Sequence, residues 1–214
     1  MMRAYYDLCV SPRSSGEARE MARLLKAMGF RGVAVEGGGA CMEEFRLEGL
    51  EAYSRVTIRA STGAEVAAKA RQARARFDIV AVKPASAEAA RTAARDPRVD
   101  LVVLPPSMAR YMDRSEARLL EQGGGCIELR LSYVLSGGDP RRRLRGLMII
   151  ARRAAACDAC LVVTSNARDR WGLWSPYTAA ALLTSMGIPW MHAVSSLTVN
   201  PASILRLRGV AGQP

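Results

Sequence analysis

The segment from Val162 to Pro176, which reads VVTSNARDRWGLWSP, is the stretch that most clearly indicates the fold. Its apolar start is typical of a buried strand, and the strand leads directly into a polar turn that carries Arg168 and Arg170. Ser175 and Pro176 then supply an N-cap and a first helical residue, a strong helix-start signal. This order of strand, basic turn and helix N-terminus is typical of a site that binds phosphate oxygens.

The same alternation of strand and helix signals runs along the chain. Capping boxes at Ser14–Glu17 and Thr62–Glu65 start two helices, residues 37–54 are predicted to be irregular, and residues 107–122 are predicted to form one helix. The predicted strands are Ala4–Val10, Gly32–Glu36, Arg55–Arg59, Phe77–Lys83, Val99–Leu104, Gly125–Leu131, Ala159–Thr164 and Pro189–Val194.

Eight strands that alternate with helices favour a parallel sheet closed as a TIM-like (β/α)8 barrel, and an open doubly wound sheet is the alternative. We predict a single barrel domain over residues 1–214, with its last few residues disordered.

The composition indicates a folded protein with an anionic partner. The chain is 50% hydrophobic and carries a formal net charge of +11, so nucleic acid is the first expectation, ahead of anionic lipid and acidic protein. Only Lys26, Lys69 and Lys83 among the 31 basic residues are lysines. Arginine suits bidentate phosphate recognition, although codon bias would produce the same excess. No signal peptide or membrane-spanning run is evident, so we expect a cytoplasmic protein without a membrane partner.

Cysteine and histidine offer little metal chemistry in this sequence. The five cysteines are odd in number and lie mostly in apolar runs, so we expect reduced, buried thiols. Cys157 and Cys160 have C-x-x-C spacing but no second pair within zinc distance, so core cysteines are favoured. The single histidine, His192, falls inside the eighth predicted strand and is expected to be a packed, hydrogen-bonded core residue.

Functional groups of a barrel gather where its strands end. The residues predicted there are mostly cationic or hydroxylic: Ser11, Arg13, Glu36, Arg59, Lys83, Arg130, Ser165, Asn166, Arg168 and Ser195. Two enzymatic alternatives stay open, namely a three-carboxylate magnesium site from Asp7, Glu36 and Glu128, and a Schiff-base nucleophile at Lys83 beside Arg59.

Two arginine-rich helices extend this basic surface. Arg141, Arg145 and Arg152 share one helix face, opposite a predicted core stripe of Leu144, Leu147, Met148 and Ala151, and Arg142, Arg143 and Arg153 lie in the same helix. A second strip consists of Lys69, Arg71, Arg74 and Arg76. Arginine runs without nearby acids favour an RNA-binding surface. The sequence has no RRM-like pair of aromatic residues, so base stacking is not indicated.

Several segments resemble one family over nearly the full chain: Tyr6–Val10, Phe77–Val82, Val99–Val102, Val163–Ala167, Ser175-Pro176 and Leu182–Ile188. The family is ribonuclease P protein component 3, the barrel-shaped subunit of the archaeal and eukaryotic ribonucleoprotein that processes tRNA. Two positions depart from its pattern, since Asn166 replaces a glycine and Trp174 replaces an arginine before Ser-Pro. If that arginine binds RNA, Arg168 or Arg170 would have to take its place.

The resemblance implies a subunit that helps to remove the 5′ leader of precursor tRNA. The catalyst would be ribonuclease P RNA with bound magnesium, and this chain would hold no cofactor and no catalytic residue. It implies a fold like that of the polymerase and histidinol phosphatase barrels without their metal ligands, and a small RRM-like protein partner.

The predicted RNA-binding residues combine the resemblance with the strand-end residues. They are Arg13, Arg59, Lys83, Arg130, Arg168 and Arg170 for phosphate, and Ser165 and Asn166 as hydrogen-bond donors. The competing hypotheses are a free-standing barrel enzyme, either a magnesium phosphoesterase or a lysine aldolase, and a protein-docking module built on Gly37–Ala40.

Overall fold

Seven parallel strands form one sheet in which every strand pairs with the next strand of the chain. The computed structural model describes residues 4–209, so the predicted disorder of the last few residues lies outside the described part. The strands are β1 (Tyr5–Val10), β2 (Phe30–Glu36), β3 (Glu51–Ala60), β4 (Ile79–Pro84), β5 (Leu101–Val102), β6 (Cys126–Arg130) and β7 (Leu161–Thr164). This sequential order is that of a barrel and excludes the doubly wound alternative, whose strand order reverses at a switch point.

The sheet closes nearly completely between β1 and β7. At the carboxyl ends, Val10 bridges Ala167 in parallel, and the Ser11 amide donates to the Ala167 carbonyl at 2.7 Å. Further down, the Tyr6 amide donates to the Leu197 carbonyl at 3.0 Å, and the Val163 amide donates to the Ser196 carbonyl at 3.1 Å. The non-strand residues 196–197 therefore occupy the place of an eighth strand.

Helices cover the outside of the sheet. They are α1 (Ser15–Ala27), α2 (Ala40–Leu47), α3 (Gly63–Arg74), α4 (Ala87–Arg95), α5 (Arg114–Gly123), α6 (Ser132–Leu135), α7 (Pro140–Ala156), α8 (Pro176–Ser185), α9 (Trp190–Ser195) and α10 (Val199–Leu207). Within residues 4–209, each helix is too short or too polar to cross a lipid bilayer.

The predicted helix starts are confirmed by their caps. The side chains of Ser14, Thr62 and Ser175 accept hydrogen bonds from backbone amides three residues later, at 3.2, 3.2 and 3.1 Å. Each bond satisfies a donor that the first helical turn leaves free. Local side-chain chemistry therefore starts α1, α3 and α8.

The eighth predicted strand is wrong, because its residues form α9. The Ala193 amide donates to the Pro189 carbonyl at 3.0 Å, and the buried Ala193 and Val194 face the core from this short helix. A brief apolar run has no periodicity that separates strand from helix. His192 consequently lies exposed, not packed in the core, and Ser195 lies near Cys160 at the amino end of β7, away from the predicted rim.

Two other segments also differ from expectation. Residues 37–54 are more regular than predicted, because the glycines at 37–39 all adopt a positive φ and lead straight into α2. The single helix predicted over 107–122 is split into a 3-10 helix at Pro106–Tyr111 and α5. Asp113 causes the restart, since its carboxylate accepts from the Glu116 amide at 2.9 Å.

Cys126 and Cys160 are joined by a disulfide, so the expectation of five reduced thiols is wrong. Ile127 is in register with Leu161, which places the preceding cysteines side by side with Cα atoms 4.6 Å apart. Their separation of 34 residues in sequence concealed this pairing. Cys9, Cys41 and Cys157 are free.

Reduction of this disulfide is expected to lower the free energy of unfolding by about 2–4 kcal/mol, because the cross-link restricts the unfolded chain. Urea unfolding with and without a thiol reductant measures the change. The Cys126→Ala/Cys160→Ala variant serves as control, since its unfolding midpoint should not respond to reductant. Equal midpoints for the oxidised and reduced wild type would contradict the prediction.

Candidate nucleic-acid interface

One cleft of about 650 Å³ lies at the carboxyl ends of the strands. Five of the predicted site residues line it: Arg59, Lys83, Arg130, Asn166 and Arg168. Arg59 and Lys83 are in register on β3 and β4, and Arg130 ends β6. We call this cleft the mouth. The mouth has a polar lining and lies at the end of the barrel where functional groups of such folds are found.

The floor of the mouth is a buried network of arginine and glutamate. The Arg55 side chain is fully buried, donates to Glu128 and to the Leu8 carbonyl, and lies 3.4 Å from the Glu36 carboxylate. Arg130 donates to the same Glu128 carboxylate at 3.0 Å and to the Thr57 hydroxyl at 2.8 Å. Every charge is therefore compensated by a close opposite charge, as burial requires.

The Glu128 carboxylate is the hub of this network. Burial by itself raises its pKa, but the neighbouring Arg130 and Arg55 guanidinium groups outweigh that effect and the net pKa is lowered. Thr164 donates a further hydrogen bond at 2.7 Å. Sequence reasoning considered Glu128 only as a metal ligand and missed Arg55. The sequence carried little signal for this role, because β3 also holds Arg59 and several other polar residues, and the burial of Arg55 follows from strand register.

The magnesium alternative requires three carboxylates that are committed elsewhere. Glu36 and Glu128 pair with Arg55. Asp7 accepts hydrogen bonds from the Cys9 and Ser165 amides at 3.1 and 3.2 Å. Across residues 4–209, no group of three or more His, Cys, Asp or Glu side chains is arranged to hold a metal ion. The arginine that occupies the floor thus opposes a cation at this position.

Asp7 gives the fold a pH dependence that can be measured. Burial raises its pKa from 3.8 to about 6, despite hydrogen bonds from Ser165 and Cys9 that lower it. Since the folded-state pKa is the higher one, its stabilising contribution is complete below pH 3.8 and is lost as the pH rises through 6.

The Asp7→Asn variant is expected to remove this dependence, because an amide oxygen can accept the same backbone bonds without charge. Wild type should lose roughly 2–3 kcal/mol of stability relative to the variant as the pH rises through this window. Urea unfolding of both proteins at several pH values provides the comparison. A constant difference across the pH range would show that Asp7 titrates normally.

The turn after β7 is held by its own polar side chains. The Ser165 hydroxyl accepts from the Ala167 amide at 3.1 Å and is 3% exposed. Asn166 has a φ of 50°, accepts from Arg130 at 3.2 Å and donates to Ser132 at 3.0 Å. The RNA contact of Ser165 stays a prediction, and its hydroxyl already has a structural partner.

The two departures from the family pattern have local explanations. Position 166 lies in the left-handed region that favours glycine, and asparagine is among the few other residues that tolerate it. Trp174 is half-buried and packs against the main hydrophobic core. Asn166 thus suits the left-handed backbone of the turn, and Trp174 contributes packing.

The predicted cations fall into two groups. Arg13 lies within 3.4–3.5 Å of Glu17 and Asp169, and Arg170 lies 3.6 Å from Glu20. These two residues flank the mouth and are already paired. In contrast, the following cations of the mouth have no acidic partner within 4.0 Å in the described part of the chain: Arg59, Lys83 and Arg168. Those three charges are free to meet an anion.

Lys83 is half-buried, and its Nζ lies 5.5 Å from the centre of the Tyr133 ring. Its neighbour across the sheet is Arg59. No carboxylate among residues 4–209 forms an ion pair with it, so an acid–base partner for a Schiff-base mechanism is missing from that range.

The basic face of α7 is smaller than expected. Arg152 and Arg153 donate to the carbonyls of Met186 and Arg110 at 2.6 and 3.1 Å, so both connect neighbouring segments. Leu144 is 41% exposed, which corrects the predicted core stripe. The buried stripe consists of Gly146, Leu147, Ile150, Ala151 and Ala154. Arg152 and Arg153 are exposed although carbonyls hold them, and the exposed arginines without such a carbonyl partner in the described part of the chain are Arg141, Arg142 and Arg145.

The strip on α3 is also reduced. Lys69 lies 3.5 Å from Glu65 and donates to the Arg59 carbonyl at 2.9 Å. Arg74 pairs with Asp100 at 2.7 Å. Only Arg71 and Arg76 lack an acidic partner among the described residues of this strip, so it offers fewer free charges than the mouth.

Comparison with known proteins agrees with the sequence motifs. Residues 4–211 match the family described as RNase P subunit p30. Ribonuclease P protein component 3 of Aeropyrum pernix is 33% identical over 195 residues, which cover 88% of this chain and 90% of that protein. The protein of the same name from Methanosarcina mazei is 23% identical, with coverages of 94% and 89%.

A solved structure shares the fold. A chain in the cryo-EM structure of archaeal ribonuclease P with mature tRNA superposes with a TM-score of 0.78 at 19% identity, and the match covers 95% of this chain and 90% of that one. The predicted TIM-like architecture is thereby confirmed with seven strands in place of eight. By its family match and its relatives, this chain belongs to the RNase P subunit p30 family.

Proposed function

We propose that this chain is the RNA-organising barrel subunit of ribonuclease P and binds ribonuclease P RNA and precursor tRNA through the mouth. The observation that carries the proposal is the set of three unpaired cations, Arg59, Lys83 and Arg168, in one cleft of a p30-family barrel. Multiple cations that meet phosphates supply affinity without sequence readout.

The chain acts as a scaffold in this proposal. Magnesium resides on the RNA, which cleaves the 5′ leader, and this chain contributes no catalytic residue and no cofactor. The carboxylates of its floor are neutralised by arginines, which supports that division of labour. A small RRM-like protein subunit, implied by the resemblance, is its proposed protein partner.

Reconstituted cleavage of precursor tRNA tests the proposal. Ribonuclease P RNA with all protein subunits should remove the 5′ leader, and omission of this chain should lower the rate at fixed magnesium. This chain alone should leave the substrate intact. Leader removal by the purified chain without RNA would establish the competing enzyme hypothesis and overturn the scaffold role.

A further inference from the structure

An exposed aromatic side chain stands on the rim of the mouth. Trp171 is 79% exposed, although tryptophan is usually well buried in folded proteins. It lies in the short 3-10 turn Arg170–Gly172. Arg168, Asp169 and Gly172 of the same loop line the mouth, and Trp171 lies in that loop outside the lining itself.

Backbone hydrogen bonds fix the turn that carries this indole. The Asp169 carboxylate accepts hydrogen bonds from the amides of Trp171 and Gly172 at 3.0 and 3.2 Å. A Cβ atom at Gly172 would lie 3.2 Å from Ala167, so the chain there passes close to the end of the barrel. The backbone that carries the ring is therefore fixed before a ligand binds, which lowers the entropic cost of binding.

One side of the ring already has a partner. The Arg170 guanidinium lies over the Trp171 ring at 4.8 Å from its centre and is tied to Glu20 at 3.6 Å. The opposite side has no such cover from the described residues, as the exposure of the ring indicates. A flat aromatic ligand can stack there.

We propose that Trp171 stacks on an unpaired base of the RNA that binds the mouth. This inference rests on the proposed function and adds selectivity to it. The cations attract any polyphosphate backbone, whereas an indole platform favours single-stranded nucleotides, whose bases are free to stack. Stacking of this kind tolerates every base, so the preference is for strandedness and not for sequence.

Binding of two fluorescent RNA probes tests the proposal, one a 12-nucleotide single strand and the other a duplex of equal length. Trp171→Ala should weaken single-strand binding by about 5- to 100-fold, and should change duplex binding by less than about twofold. Trp171→Phe should restore much of the single-strand affinity. The slope of log affinity against log salt should stay that of wild type, because no charge is removed.

Trp190→Ala is the matched control, since Trp190 is a partly exposed tryptophan on α9, near the amino end of β7. It should bind both probes like wild type. Quenching of intrinsic fluorescence by the single strand should disappear in Trp171→Ala and persist in Trp190→Ala.

The possible failures are distinguishable. If wild type binds neither probe, the proposed RNA-binding function fails with the inference. If Trp171→Ala binds both probes as wild type does, stacking is overturned and a protein partner becomes the better occupant of this rim. An equal loss for both probes would also overturn stacking, since it would reflect a general defect of the mouth.

Discussion

Replacement of Arg55 by methionine is expected to lower the free energy of unfolding by about 3–5 kcal/mol, the usual cost of breaking a buried ion pair from one side. The fully buried guanidinium compensates Glu128 and Glu36 and donates to the Leu8 carbonyl. Without Arg55, these acceptors lose a donor and a compensating charge while they stay buried or half-buried. Arg130 is then the remaining cation of the floor.

Urea unfolding measures this effect, and the same strand offers a matched control. Arg59 lies four residues further along β3, is exposed and has no acidic partner among the described residues. Arg59→Met should change stability by less than about 0.5 kcal/mol. Addition of Glu128→Gln to the Arg55→Met variant should recover part of the loss. A cost below about 1 kcal/mol for Arg55→Met would mean that the network is not the structural floor of the mouth.

The triple replacement Arg59→Ala/Lys83→Ala/Arg168→Ala is expected to have the largest effect on RNA binding. Each lost phosphate contact removes about 0.9 from the slope of log affinity against log salt, so the slope should become shallower by about 3. Affinity for ribonuclease P RNA should fall most at low salt, where those contacts contribute most. Filter binding or anisotropy over a salt series measures both quantities.

The control for this triple variant removes the same net charge elsewhere. Arg19, Arg23 and Arg31 are exposed and paired with Glu44, Glu48 and Glu51 at 2.8–3.0 Å. Their replacement by alanine should leave most of the affinity and slope intact. An equal loss in both triple variants would show that the net charge of +11 acts as a whole and that the mouth has no special role.

Local sequence signals predicted much of the fold. Capping residues such as Ser14 and Thr62 act on amides three residues away, so their effect is readable from the chain. The turn after β7 was predicted for the same reason. The segment 189–194 was mispredicted because burial of Ala193 and Val194 against a curved sheet decides its structure, and that contact is not local.

Some residues of the candidate site were likewise predictable from the sequence, and others were not. Arg59, Lys83 and Arg168 were predictable because strand ends converge in a barrel. The pairing of Arg55 with Glu128 joins residues 73 positions apart, and the disulfide joins Cys126 with Cys160 across two strands. Such contacts follow from register and not from spacing along the chain. The exposure of Trp171 likewise follows from the tight turn around it.

The salt dependence of binding between the unmodified chain and ribonuclease P RNA tests the central claim most directly. If the three free cations of the mouth each meet a phosphate, the slope of log affinity against log salt should be about −3 or steeper. A slope near zero would contradict the proposal that this barrel holds RNA through the charges at its mouth.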